Sequence, residues 1–174
     1  MQKNGFTLVE LLTTVALLTV LISLGVPSFA RLVDDHRLDV AREQLARSIQ
    51  QTREEAVRRN QPVTMAPKGG HWNGGWQVFL DHNRNAQFDG ADELLGEDIA
   101  ARISQIHGSG ALADYLRYNG MGESELLHGG FLAGTLRLCP TEKGGDGRML
   151  VINRVGRLRM DRGPIAEQYC PGGQ

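Results

Sequence analysis

NGFTLVELLTTVALLTVLISLGVPSFA, residues 4–30, carries one charge, Glu10, and the next charge along the chain is Arg31. Its apolar part, residues 11–30, is long enough to cross the ~30 Å hydrocarbon core of a bilayer as one helix. A carboxylate near the start of such a segment is costly there, which makes Glu10 a functional candidate. A polar leader with the cation Lys3 precedes it and ends at Gly5–Phe6. A secretory signal peptide would account for Lys3, the apolar run and a small-x-small site at Ser28-Phe29-Ala30. Its apolar core, however, spans about 7–15 residues and carries no carboxylate. A plain membrane anchor accounts for the length and leaves Glu10 unexplained.

Near the end of the anchor, Pro27 removes a backbone donor and is expected to kink or locally loosen the helix about where it leaves the bilayer. The helical pattern then resumes. Leu38, Ala41, Leu45, Ile49, Thr52 and Ala56 recur at spacings of three or four, and most charges fall elsewhere. Arg59-Asn60-Gln61-Pro62 ends the helix, with Arg58 and Arg59 suited to its C-terminal dipole. Short β segments separated by Gly-rich turns follow: Val63–Met65, Trp76–Asp81, Glu93–Leu95, Ile99–Ile106, Leu116–Tyr118, Gly134–Cys139, Met149–Asn153 and Arg157–Met160. A long N-terminal helix followed by antiparallel strands is an α+β arrangement. The expected division is a leader at 1–5, a membrane helix at 6–30, its amphipathic half at 31–61 and a β-rich domain at 62–174.

The chain has 174 residues, 22% of them charged, and 22 glycines, a composition neither disordered nor of low complexity. Its net charge of −1 conceals an asymmetry. Residues 80–135 are acidic, whereas residues 137–162 carry Arg137, Lys143, Arg148, Arg154, Arg157, Arg159 and Arg162 against three acids. Such a segment suits an anionic partner. The two cysteines, Cys139 and Cys170, lie outside any C-x-x-C, which gives little support to redox or zinc roles. With the domain outside the cytoplasm, as the anchor implies, a disulfide between them is expected.

Within the basic segment, Val155-Gly-Arg-Leu-Arg-Met160 is the strongest candidate site. On a strand, Leu158 and Met160 share one face and Arg157 and Arg159 the other, about 7 Å apart. That spacing matches successive phosphates of a nucleic acid, and guanidinium binds phosphate bidentately. Gly156 suits the left-handed position of the turn before it. Arg148, Arg154, Arg162 and Lys143 are candidate supporting cations. The competing reading is a solvated edge strand whose charges discourage aggregation.

Other signals are weaker. Asp81-His-Asn-Arg-Asn-Ala-Gln-Phe-Asp89 places oxygen ligands at alternate positions, like the start of a calcium loop, with Asp92 at the twelfth. The sixth position is Ala86 rather than Gly, and Arg84 sits inside, so a polar turn is the better reading. His36, His71, His82, His107 and His128 form no metal-ligand spacing. Ser109 lacks a nucleophile-elbow context, and Gly120-Met-Gly122 reads as a turn. No metal, no cofactor and no enzymatic activity are expected.

The N-terminal pattern G-F-T-L-V-E-L-L followed by Pro27 resembles the class III signal of type IV pilins and type II secretion pseudopilins. The resemblance implies cleavage of Gly5–Phe6 by the prepilin peptidase, N-methylation of Phe6, and pairing of Glu10 with a neighbouring subunit's N-terminal amine. Thr52-Arg-Glu-Glu-Ala-Val-Arg-Arg-Asn-Gln-Pro-Val-Thr-Met65 and Gly75-Trp-Gln-Val-Phe-Leu-Asp81 resemble the GspH/FimT type, while residues 96–135 match only loosely. Gly156, Arg157 and Arg159 resemble, position by position, the G-R-x-R motif of FimT-type minor pilins. The implied fold is a type IV pilin: a long N-terminal helix packed on antiparallel β-sheet. The implied function is a minor pilin capturing double-stranded DNA for uptake in natural transformation. A structural initiator of assembly and an H-type pseudopilin of type II secretion are the alternatives. Implied partners are other major and minor pilins or pseudopilins, the prepilin peptidase, the inner membrane before assembly and DNA. The implied location is the inner membrane with a periplasmic domain, then the pilus and cell surface.

Overall fold

The computed structural model describes residues 7–99, 103, 105–141 and 144–170, apart from the side chains of Leu24 and Pro27. Gly5, Phe6, Lys143 and part of the expected Ile99–Ile106 strand fall outside the described residues. The chain separates into two compact units, Met1–Asp35 and His36–Gln174. A helix, α1 (Leu8–Arg59), begins in the first and ends in the second. It continues across position 27.

In the first unit the described helical side chains as far as Leu32 are exposed, including Leu8, Leu12, Leu18, Ile22 and Phe29, and Val33, Asp34 and Asp35 are half-buried. By length and composition α1 can cross a membrane. Several hydroxyls of this part of the helix bond to carbonyls of the helix itself. Thr14 donates to the Leu11 carbonyl, Thr19 to Val15 and Ser23 to Val20, each at 2.8 Å. Hydroxyls bonded within their own helix need no water, which suits apolar surroundings.

In the second unit Leu38, Ala41, Leu45, Ile49, Thr52 and Ala56 are all buried, as their spacing predicts. Each fully buried Leu or Ile contributes about 1.5–3 kcal/mol. Asn60, at φ 49°, takes the left-handed position after α1. Gln61 N–H donates to the Ala56 carbonyl and Asn60 N–H to Val57, the paired bonds of a Schellman cap.

Eight strands lie among the described residues: β1 (Val63–Pro67), β2 (Trp76–Leu80), β3 (Glu93–Asp98), β4 (Gln105–Gly108), β5 (Leu116–Tyr118), β6 (Gly134–Cys139), β7 (Asp146–Ile152) and β8 (Leu158–Pro164). They form two antiparallel sheets, ordered β3-β2-β1-β5 and β4-β6-β7-β8. Val63, Met65, Val78, Leu116 and Tyr118 from the first share one core with Leu136, Leu138, Leu150 and Ile152 from the second and with the α1 residues above. Strand β4 lies near the C-terminal end of the expected Ile99–Ile106 segment. Ile99, Ile103 and Ile106 are spaced by four and three, which does not produce strand alternation.

The 81–92 loop folds over the outer face of the first sheet, where Phe88 meets Phe79 with ring centroids 5.6 Å apart. Asp81 is fully buried and accepts from the Asn85 and Ala86 amides, both at 3.0 Å, and from Arg117 Nη1 at 2.9 Å. Asp92 accepts from the His82 and Asp89 amides. Asp89 accepts from Ala91, Asn83 and Asn85, which holds its carboxyl below the ordinary range. The loop's carboxylates are therefore engaged by its own donors and Arg117, the behaviour of a polar turn. Arg84 and Ala86 take positive φ, both 57°.

Candidate functional site

The hairpin between β7 and β8 carries the arginine pair. Asn153 N–H donates to the Arg157 carbonyl, and Gly156 N–H donates to the Asn153 carbonyl at 2.9 Å. Gly156 has φ 75°, so the turn has the pattern of a type I turn closed by a left-handed glycine bulge. Asn153 Oδ1 accepts from the Val155 and Arg157 amides, which closes the loop from inside.

Three other segments fasten this tip. Tyr118 Oη donates to the Gly156 carbonyl at 3.1 Å. Ser124 Oγ lies 3.0 Å from the Asn153 carbonyl and 2.6 Å from Leu132 O. Arg53 of α1 donates to the Gly122 carbonyl at 2.8 Å and reaches the Val155 carbonyl at 3.4 Å. A Cβ at Gly156 would lie 2.5 Å from Gly122 O and 2.7 Å from Tyr118 Cε1. Glycine is thus required by packing as well as by φ. Burial pushes the Tyr118 phenol far up, so it remains a donor at any ordinary pH.

Leu158 pairs with Ile152 and Met160 with Leu150, so both apolar residues share the core-side face as the alternation predicts. Arg159 pairs with Val151 on the outer face and is 70% exposed. It is held by Asp161 at 2.7 Å. Arg154 and Arg157 are exposed and form no ion pair among the described residues.

Two expected supporting cations do not belong to this group. Arg148 is buried on the core-side face and binds Asp39 of α1 through two nitrogens, at 2.7 and 3.1 Å. That bond holds the Asp39 carboxyl below the ordinary range. Arg162 pairs in register with Arg148, facing away from Arg159, and lies 3.2 Å from Asp146. Sequence proximity placed them near the tip; strand parity places them on the opposite face. Arg148 alternates with Leu150 and Ile152, and that parity was the available signal.

The chain's C-terminal part is bound to the same sheet. Cys139 and Cys170 form a disulfide closing 31 residues of chain. The Arg137 guanidinium lies 4.2 Å from the Tyr169 ring centroid. Breaking the bridge should lower stability by about 3 kcal/mol, since a cross-link of this length restricts the unfolded chain. Thermal melts with and without reductant check this; coincident curves would show that the bridge contributes nothing.

At the other end, Glu10 is exposed in the first turn of α1 and its N–H donates to Thr7 Oγ1 at 3.3 Å. Thr7-x-x-Glu10 is also a capping-box spacing. Glu10→Gln keeps a capping side chain and removes the charge, so the two roles separate. We expect Glu10→Gln, like Glu10→Val, to insert into membranes and to fail in co-assembly with neighbouring subunits. Quantitative recovery of the variant in sheared filaments would refute an assembly role for the charge.

An N-terminal apolar helix whose second half packs on antiparallel sheets is the architecture of type IV pilin-like proteins. Residues 41–156 match the family described as Type II transport protein GspH, and residues 1–26 match the prokaryotic N-terminal methylation motif. The chain belongs to the GspH family, among the minor type IV pilins and pseudopilins. It is 31% identical over 170 residues to the pilin-like protein PilA1 of Thermus thermophilus, covering 92% of this chain and all of that one. The type IV minor pilin FimU of Pseudomonas aeruginosa superposes with a TM-score of 0.61 at 19% identity, over 75% of this chain and 92% of FimU. A second crystal form of FimU gives 0.57. At that identity the likeness concerns the fold.

Proposed function

We propose that this chain is a minor type IV pilin that binds double-stranded DNA non-specifically through the β7–β8 hairpin, in DNA uptake at the tip of a pilus. Its role is binding and assembly rather than catalysis. After cleavage at Gly5–Phe6 by a prepilin peptidase, α1 anchors the subunit in the inner membrane and then joins other pilins in the filament. The observation that carries the DNA reading is a rigidly fastened hairpin presenting exposed Arg154, Arg157 and Arg159, two of them without an ion pair among the described residues. Phosphate contacts of this kind are indifferent to sequence and strongly dependent on salt.

A second reading has its own support. Gly156 is explained by packing alone, and Arg159 already has Asp161 as a partner. Both observations suit a structural pilin or pseudopilin whose hairpin serves the fold. The test is duplex-DNA binding by the full chain in nonionic detergent, across a salt series, against Arg157→Gln/Arg159→Gln. Two phosphate contacts predict that the double variant loses about two units of the log K against log salt slope. Binding of the double variant equal to wild type removes the hairpin from the site. No binding at low salt leaves the structural reading.

A further inference from the structure

The outer face of the second sheet joins residues far apart in sequence. In register, Arg159 of β8 pairs with Val151 of β7, and Val151 with Thr135 of β6. One step further along the same face, Asp161 pairs with Met149 and Met149 with Arg137. Two strands of lateral separation and one residue pair of offset place Arg159 and Arg137 about 12 Å apart at their Cα atoms. Val151 and Met149 form a low, half-buried floor between them.

The tail after β8 bounds this floor on one side. Ile165 lies over Gly147, where an added Cβ would collide with it. Tyr169 stacks on Arg137, and Cys170 is tied to Cys139 on β6. A guanidinium stacked on a ring keeps its N–H edge directed outward, available for bidentate contact. Arg137 is half-buried and enters no ion pair among the described residues. Asp161 is the carboxylate between the two cations and is answered by Arg159. His107 of β4 pairs with Arg137 and lies on the same face.

We propose that the nucleic-acid contact extends from the hairpin tip across this face to Arg137, which binds a further backbone phosphate while Tyr169 and the disulfide hold it in place. This rests on the DNA reading of Arg157 and Arg159 and adds a contact that the linear G-R-x-R motif does not contain. Arg137 is a binding residue; Tyr169 positions it.

The experiment uses the full chain in nonionic detergent and a short labelled duplex of mixed sequence, over a salt series, with melting temperature measured for every variant. Arg137→Gln should weaken binding and reduce the salt slope by about one unit. Arg137→Lys keeps the charge and should retain the slope, although it loses the stacking geometry. If both variants lower the melting temperature while slope and affinity stay at wild-type values, Arg137 only pins the tail and the extension is overturned. That result leaves the hairpin reading standing, provided Arg157→Gln/Arg159→Gln still loses binding. Absence of binding by wild type at low salt overturns both.

Discussion

Asp81→Ala should destabilise the chain by about 3–5 kcal/mol, a large fraction of the roughly 5–15 kcal/mol that holds a domain together. Arg117 is 3% exposed and is shared between Asp81 and Glu125, with Nε 2.9 Å from Glu125 Oε1. Without Asp81 its Nη1 retains only a 3.4 Å contact with Thr64 Oγ1. In the same change the Ala86 amide loses its acceptor, and the Asn85 amide keeps only Asn83 Oδ1 at 3.2 Å. A buried donor left without a partner carries its full desolvation penalty, which exceeds the net value of the bond it made. Asp81→Asn keeps one acceptor and should cost less. Thermal unfolding should show a drop on the order of 10 °C for the alanine variant. A shift of a degree or two would mean that water reaches Arg117.

Gly156→Ala should cost about 2–4 kcal/mol, combining left-handed backbone strain with overpacking. The added Cβ would meet backbone at Gly122 O and the edge of the Tyr118 ring, and neither is the far end of a flexible side chain. Gly156→Val should be worse. Gly90 has nothing within 4 Å of an added Cβ and an ordinary φ, so Gly90→Ala is the matched control and should leave the melting temperature nearly unchanged. Equal melting temperatures for the two alanine variants would show that the tip is not seated against β5 and the 119–123 turn. Any loss of DNA binding in Gly156→Ala has to be compared with Arg157→Gln, because a displaced tip and a lost guanidinium have the same functional outcome by different routes.

The helix was legible because its signal is periodic and local. Leu38 to Ala56 face one way at helical spacing, and Arg58, Arg59, Asn60 and Pro62 mark the end. Strands β5 and β6 were legible because apolar residues alternate inside Gly-bounded segments. Strand β8 proved longer than its apolar stretch, running on through Asp161 and Arg162 to Pro164. As an edge strand it has one neighbour and weak burial on either face, so composition gives little guide to where it stops. The buried arginines were the main gap. A charge in sequence reads as surface, and the partners of Arg148 and Arg117 lie 109 and 36 residues away. For the site, the outer-face position of Arg159 could be read from strand parity, whereas Arg157, expected on the same strand, lies in the turn before β8 begins at Leu158. The position of Arg137 could not, since it depends on which strands pair and in what register.

The fastening of the hairpin tip also determines how force would travel through the subunit. A pull on Arg157 meets bonds from Tyr118, Ser124 and Arg53, which belong to β5, the 119–132 turn region and α1 respectively. Arg53 carries part of that load straight into α1, without first peeling β8 from β7. Sharing tension among three anchors raises the load at which any one of them yields. The subunit is therefore strapped for traction at the place where a tethered ligand would drag on it.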